Sequence, residues 1–124
     1  CSIGKSHIAI VGTGDLWAGS FEPDQAFGGL DPELYSSTLL LAHNPDTKDF
    51  VARKPWNLML SGHTHGGQVV LPLIGPPFVP VQDKGYVAGL KAWNSRWVYI
   101  TRGVGNLLGL RFNCRPEVTI LDLV

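Results

Sequence analysis

The sequence predicts an α/β fold in one domain, with parallel strands in the first half and a β-rich C-terminal part. Three observations lead there. Ile8–Val11, Ser37–Ala42 and Asn57–Leu60 are short apolar runs, long enough for buried strands and too short for buried helices. Segments with helix-start signals lie between them, the alternation that βαβ units produce. After residue 68 those signals stop, and strand and turn patterns replace them. A chain of 124 residues suits one domain. At 44% hydrophobic and 16% charged it can bury a core and is not disordered by composition.

The elements follow in order. Ile8–Val11, ending in Gly12, reads as a strand and leads into a loop through Trp17 and Gly19. Glu22–Phe27 allows one or two helical turns, with Pro23 suited to the first turn. Asp31-Pro32-Glu33 is another short helix start. Ser37–Ala42 is the second strand, with His43 at its C-terminal end. Asp46 is placed to cap a helix over Thr47–Arg53, which Pro55 stops. Asn57–Leu60 is the third strand and runs into Ser61-Gly62-His63. Gln68–Leu71 reads as a short strand. Residues 72–81 hold four prolines and form a stiff loop. Tyr86–Trp93 and Arg96–Thr101 read as a hairpin across Asn94-Ser95. Arg102–Gly109 is glycine-rich, and Glu117–Val124 alternates enough for a last strand. There is no repeat, low-complexity tract or domain boundary.

Bulk chemistry narrows the function. Ten basic residues balance ten acidic ones, so no overall charge argues for nucleic acid or an anionic membrane. No apolar run approaches the roughly 18 residues of a spanning helix. Cys1 and Cys114 make neither a disulfide framework nor a zinc spacing, which leaves a reduced, intracellular setting as the default. Cys114 is expected to pack as a small apolar residue. Two phosphate-loop signals fail on context. Gly4-Lys5-Ser6 precedes a strand where a P-loop needs a helix, and Gly12-Thr13-Gly14 has Trp17 where the third glycine belongs.

The histidines carry more. The chain has four, and His43, His63 and His65 all follow predicted strand ends, where open α/β sheets form their binding crevice. Imidazole is a common ligand for transition metals. Gly62, Gly66 and Gly67 allow unusual backbone angles around the pair. Thr64 is expected to point elsewhere, so His63 and His65 either share one metal or diverge onto two. The plain alternative is three hydrogen-bonded loop histidines, and it holds for His7, which lies at a strand start. Three histidines and a water would also describe a mononuclear zinc hydrolase.

The stretches LAHNPD (41–46) and LMLSGHTHGGQVVLP (58–72) resemble the calcineurin-like metallophosphoesterases. The loop GPPFVPVQDKGYVAGL (75–90) and the tail RGVGNLLGLRFNCRPEVTIL (102–121) narrow the resemblance to a bacterial phosphodiesterase branch. It runs over nearly the whole chain. It implies half of a four-layer α-β-β-α sandwich, with a two-metal site at the strand ends and a mixed sheet in this part. His43 and His63 would ligate one metal and His65 the other. The family's D-x-H and G-N-H motifs are absent, and Gly14-Asp15 matches G-D only superficially. Asp15 then fits as a pocket-rim residue, not the bridging aspartate. Residues 1–124 are expected to be the C-terminal portion of the domain, with the catalytic groups upstream of Cys1.

The resemblance implies hydrolysis of a phosphodiester, a small molecule or a lipid headgroup, with two divalent ions. Manganese, iron, zinc and nickel all suit such donors. Asn44, Gln68, Arg102 and Arg111 are candidates to touch phosphate or the groups behind the ligands, and equally ordinary surface residues. Trp17, Phe21 and Phe78 would rim an apolar ester group or simply pack. The resemblance also implies a cytoplasmic protein associated with the inner membrane. A non-catalytic metal-binding or interaction module is the main alternative. Half of a sandwich exposes an apolar sheet face, so this chain is expected to self-associate.

Overall fold

The computed structural model describes residues 2–3, 6–107 and 109–123. Its strands are β1 (Ser2–Ile3), β2 (Ser6–Gly12), β3 (Ser37–Leu41), β4 (Leu58–Ser61), β5 (Gly89–Trp93) and β6 (Arg96–Ile100). A mixed five-stranded sheet runs β2-β3-β4-β6-β5, with the two-residue β1 paired antiparallel outside β2. Strands β2, β3, β4 and β6 are parallel, and β5 is antiparallel to β6. The predicted hairpin is present: Asn94 and Ser95 both take positive φ, as a two-residue turn matching the strand twist requires. Four parallel strands aligned in this way send their C-terminal ends to one edge, and the histidines follow two of them.

One face of the sheet is the core. Register places Val11, Leu40, Met59 and Val98 side by side across it. Phe27, Val51 and Trp56 cover them. Burying each such side chain contributes about 1.5–3 kcal/mol, which makes this face the main source of stability. Two four-residue helices, α1 (Pro23–Ala26) and α2 (Thr47–Phe50), lie in the connections. At that length they depend on packing for their existence. Among the described residues no helix is long and apolar enough to cross a membrane.

Four sequence expectations need correction. The helix after Asp46 ends at Phe50, not Arg53, and Asp46 does not cap it with its side chain. The Asp46 carboxylate accepts instead from the Gln82 and Asp83 amides. Gln68–Leu71 is no strand. Gln68 takes φ +59°, and the segment makes only isolated bridges, Val69 to Phe112 and Leu71 to Gly75. Residues 117–123 pair with no strand. The chain there is tied by the Glu117 amide donating to the Gly103 carbonyl and by the Tyr99 hydroxyl bonding Glu117 and Thr119. Cys1, Gly4, Lys5 and Val124 lie outside the described residues, whereas Cys114 is buried and unpaired, as expected.

The other face of the sheet is largely exposed, with only the 117–123 tail along it. Ile10, Leu41, Leu90 and Trp97 lie on it, with Ile10 56% and Trp97 50% exposed. An apolar groove of about 710 Å³ crosses it between Ile8, Leu58 and Trp97, bordered by Leu121 and Leu123. A face of this kind is a hazard in water. The 124-residue chain is therefore expected to dimerise or form larger species at micromolar concentration. Exchanging Leu41 and Trp97 together for lysine should return it to a monomer with little loss of melting temperature. Light scattering that finds the unaltered chain monomeric at high concentration would contradict this.

Candidate functional site

The strand ends meet in a crevice of about 460 Å³ lined by Thr13, Ala42, His43, Ser61, Gly62 and Thr101. The backbone ladder continues past the strands and joins the two histidine arms. The Ala42 amide donates to the Leu60 carbonyl, and the Gly62 amide to the His43 carbonyl. His43 and His63 are thereby held across from one another. His43 Nε2 and His63 Nδ1 lie 3.1 Å apart, with their rings edge to face.

The other nitrogen of His63 fixes its chemistry. Nε2 lies 2.9 Å from the Pro80 carbonyl oxygen. A carbonyl only accepts, so Nε2 carries the proton and Nδ1 presents its lone pair toward His43. Burial pushes the His63 pKa below the ordinary histidine value. The Pro80 carbonyl opposes that, and the neighbouring His43 adds to it. His65 is arranged in the opposite sense. Its Nδ1 lies 3.2 Å from the Gly105 carbonyl oxygen, which assigns the proton to Nδ1 and the lone pair to Nε2.

The backbone here is strained. His63 and His65 take φ of +66° and +51°, a region that non-glycine residues occupy at a cost of order 1–3 kcal/mol. Such strain persists only where the surroundings enforce it. Buried Thr64 is one enforcer: its hydroxyl donates to the Val87 carbonyl and accepts from the Gly66 amide. Gly66 is another. It takes φ +65°, and a Cβ there would sit 2.5 Å from Arg102 Cγ and 2.7 Å from Cys114 Sγ. Gly66→Ala is expected to cost about 2 kcal/mol or more, from backbone conformation and overpacking together. Urea unfolding measures it, and a loss under about 0.5 kcal/mol would show that the turn is not tightly held.

Arg111 organises the neighbouring loop with main-chain contacts. Its guanidinium donates to the carbonyls of His65, Arg102, Gly105 and Cys114. Gly105, which orients His65, is thus itself oriented by Arg111. Gln68 acts alike, its amide exchanging two hydrogen bonds with the Leu107 backbone. Arg102 is engaged by Glu117 through Nε, Nη2 and its own amide. Asn44 is buried, and its Oδ1 accepts from the Asp46 amide. Asn44 Nδ2, Thr13 Oγ1 and Ser61 Oγ are buried polar atoms without a hydrogen-bond partner among the described residues. The last two belong to residues lining the crevice.

The structure therefore brings together His43 and His63 but not all three histidines. Among the described residues no three of His, Cys, Asp and Glu gather in a metal-binding group. Trp17 packs edge-on against His63 at 4.6 Å between ring centroids, while Phe21 turns toward the core and Phe78 faces solvent. Asp15 accepts from the Trp17 and Ala18 amides and shapes that loop. His7 lies on β2, away from its C-terminal end. Pro80 and Gly105 are missed by residue-type reasoning because they act through backbone carbonyls. The one available signal was the stiffness of the proline-rich loop.

Comparison with known proteins bears out the family resemblance. The chain is 59% identical over 118 residues to phosphodiesterase YaeI of Escherichia coli, covering 95% of this chain and 42% of that protein. It is 40% identical over 119 residues to the metallophosphoesterase YkuE of Bacillus subtilis, covering 95% and 41%. It is 34% identical over 122 residues to the UDP-2,3-diacylglucosamine pyrophosphatase LpxG of Chlamydia trachomatis, covering 92% and 36%. No family model and no solved structure matches the chain. The chain spans about two fifths of the length of these curated relatives. Over that span it is a homologue of phosphodiesterase YaeI and other metallophosphoesterases.

Proposed function

We propose that this chain is the C-terminal portion of a metal-dependent phosphodiesterase and supplies histidine ligands to its two-metal site. The observation that carries the proposal is the His43–His63 pair. The two nitrogens are 3.1 Å apart, a hydrogen bond in this structure and within a few tenths of an ångström of the about 3.3–3.4 Å that two nitrogens take on one tetrahedral zinc-sized ion. The Pro80 contact leaves Nδ1 of His63 as the donor, so the donor set fits a transition metal. In this reading His43 and His63 hold one ion and His65 the second. The ions, when bound, would polarise a phosphoester and lower the pKa of a bound water.

The chain's own residues do the rest. The backbone ladder spaces the His43 and His63 arms, and the Pro80 and Gly105 carbonyls set the ring protons of His63 and His65. Asn44, Gln68 and Arg102 remain proposed substrate contacts. In this structure the donors of Gln68 and Arg102 are engaged by neighbours, so a phosphate would have to compete with those bonds, whereas Asn44 Nδ2 has no partner among the described residues. The largely exposed sheet face supports the sandwich reading, since a second sheet laid on Ile10, Leu41 and Trp97 would complete four layers. The phosphoester class is taken from the relatives, a phosphodiesterase and a pyrophosphatase.

A second reading, a metal-binding module without catalysis, is favoured by one fact: no third donor joins the pair among the described residues. Metal stoichiometry tests the proposal. Equilibrium dialysis against manganese and zinc should load the chain at the histidine pair, with binding lost in His43→Ala. Binding unchanged in that variant would defeat it. Hydrolysis of a model phosphodiester by a longer protein that includes this chain, and by no His65 variant of it, would then separate the enzyme from the module.

A further inference from the structure

The loop that carries Pro80 is fastened on every side. Val79 and Val81 are buried, and the Val81 amide donates to the Val79 carbonyl, which makes a tight turn with Pro80 at its apex. Lys84 Nζ donates to the same Val79 carbonyl. One residue beyond the turn, the Gln82 amide donates to Asp46 Oδ2 at 2.7 Å, and the Asp83 amide to Asp46 Oδ1 at 3.2 Å. Asp46 is 1% exposed and lies three residues after His43. The neighbouring Lys48 is wholly buried beneath the Tyr86 ring, with Nζ 2.9 Å from Asp49 and 3.3 Å from Asp83.

A buried carboxylate needs hydrogen-bond donors, and Asp46 draws two of them from this one loop. A helix cap would have met the same need locally, so the long-range choice has a structural consequence. The arm bearing His43 grips the loop whose apex carbonyl accepts a hydrogen bond from one chosen nitrogen of His63 and so keeps the proton there. We infer that Asp46 is a positioning residue for the histidine pair: through Gln82 and Asp83 it holds the Pro80 carbonyl against His63 Nε2, which commits Nδ1 to face His43. The inference rests on the proposal that His43 and His63 share a metal ion, and its primary readout does not require the metal. Outer partners of this kind fix the tautomer and orientation of ligating histidines in general.

The test uses the metal-free 124-residue chain with ¹⁵N-labelled histidine, in long-range ¹H–¹⁵N correlation spectra at mildly alkaline pH. His63 is expected to carry its proton on Nε2. In Asp46→Asn the carboxamide sets its own N–H groups against a loop amide, so at least one of the two bonds is lost. The single tautomer should then give way to a mixture, and affinity for zinc alone should fall by about 10–100-fold. A His63 protonated on Nδ1 in the unaltered chain overturns the inference, whether or not the variant folds. So does a folded Asp46→Asn chain whose His63 tautomer is unchanged, even if its stability drops, because a merely structural role predicts that result. A tautomer that responds to Asp46 in a chain that binds no zinc would uphold the positioning role and refute the metal reading instead.

Discussion

Exchanging His63 for glycine is expected to weaken zinc and manganese binding by more than about 100-fold, beyond the 10–100-fold that loss of an outer partner costs, and to leave the chain folded. Glycine is the informative replacement because residue 63 sits at φ +66°. Alanine would add backbone strain to the lost ligand, whereas glycine adopts that angle freely. The cost to stability is the bonds to Pro80 and His43, about 1 kcal/mol net each, partly offset by relief of the strain. The ring is only half-buried and is not part of the core cluster; His43 and the exposed Trp17 pack edge-on against it. Calorimetric titration beside circular dichroism separates binding from folding. Zinc affinity equal to that of the unaltered chain would sink the metal assignment. His65→Gly supplies the contrast. In the two-ion reading it removes one ion and spares the one at the His43–His63 pair, so stoichiometry should halve in a chain that holds two ions.

The pairing of His43 and His63 at the strand ends was legible in the sequence, and the reason is local. His43, His63 and the glycines between strand and loop are set by chain-neighbour chemistry, namely an apolar run, its end and a turn. The parts that were not legible depend on partners distant in sequence. Asp46 has the composition of a helix cap, and its N–H donors come from residues 82 and 83. Nothing in a local window distinguishes the two uses. Residues 117–123 have strand composition, yet Ile120 is 88% exposed and the segment pairs with no strand. β-propensity measures fitness for a pleated, half-buried surface, and the partner strand is a separate requirement. Gln68–Leu71 fails for a nearer reason, since Gln68 is turned to positive φ at the end of the glycine pair. The bonds of Arg111 and Gln68 to backbone carbonyls and amides are equally silent, because their partners have no side-chain signature.

Trp56→Ala is expected to cost the chain about 4 kcal/mol, close to unfolding a domain whose whole stability is of order 5–15 kcal/mol. Trp56 is 2% exposed and sits just before β4. Its indole N–H donates to the Val51 carbonyl at the end of α2, its ring stacks on Trp93 of β5, and the Arg96 guanidinium of β6 lies over it. One side chain thus joins the helix that follows Asp46, the entry to the strand that delivers His63, and the hairpin at the sheet edge. Trp56→Phe keeps a ring against Trp93 and Arg96 but loses the hydrogen bond, so about 1–2 kcal/mol should go. Urea unfolding of the two variants separates ring volume from the indole bond. A loss under about 1 kcal/mol for alanine would mean that the core tolerates the cavity and that the histidine arms are braced elsewhere. The expected large loss has a functional consequence: as α2 loosens, Asp46 and its grip on the Pro80 loop go with it. Metal affinity in Trp56→Phe should therefore track stability only weakly, because that variant retains the packing that holds α2 in place.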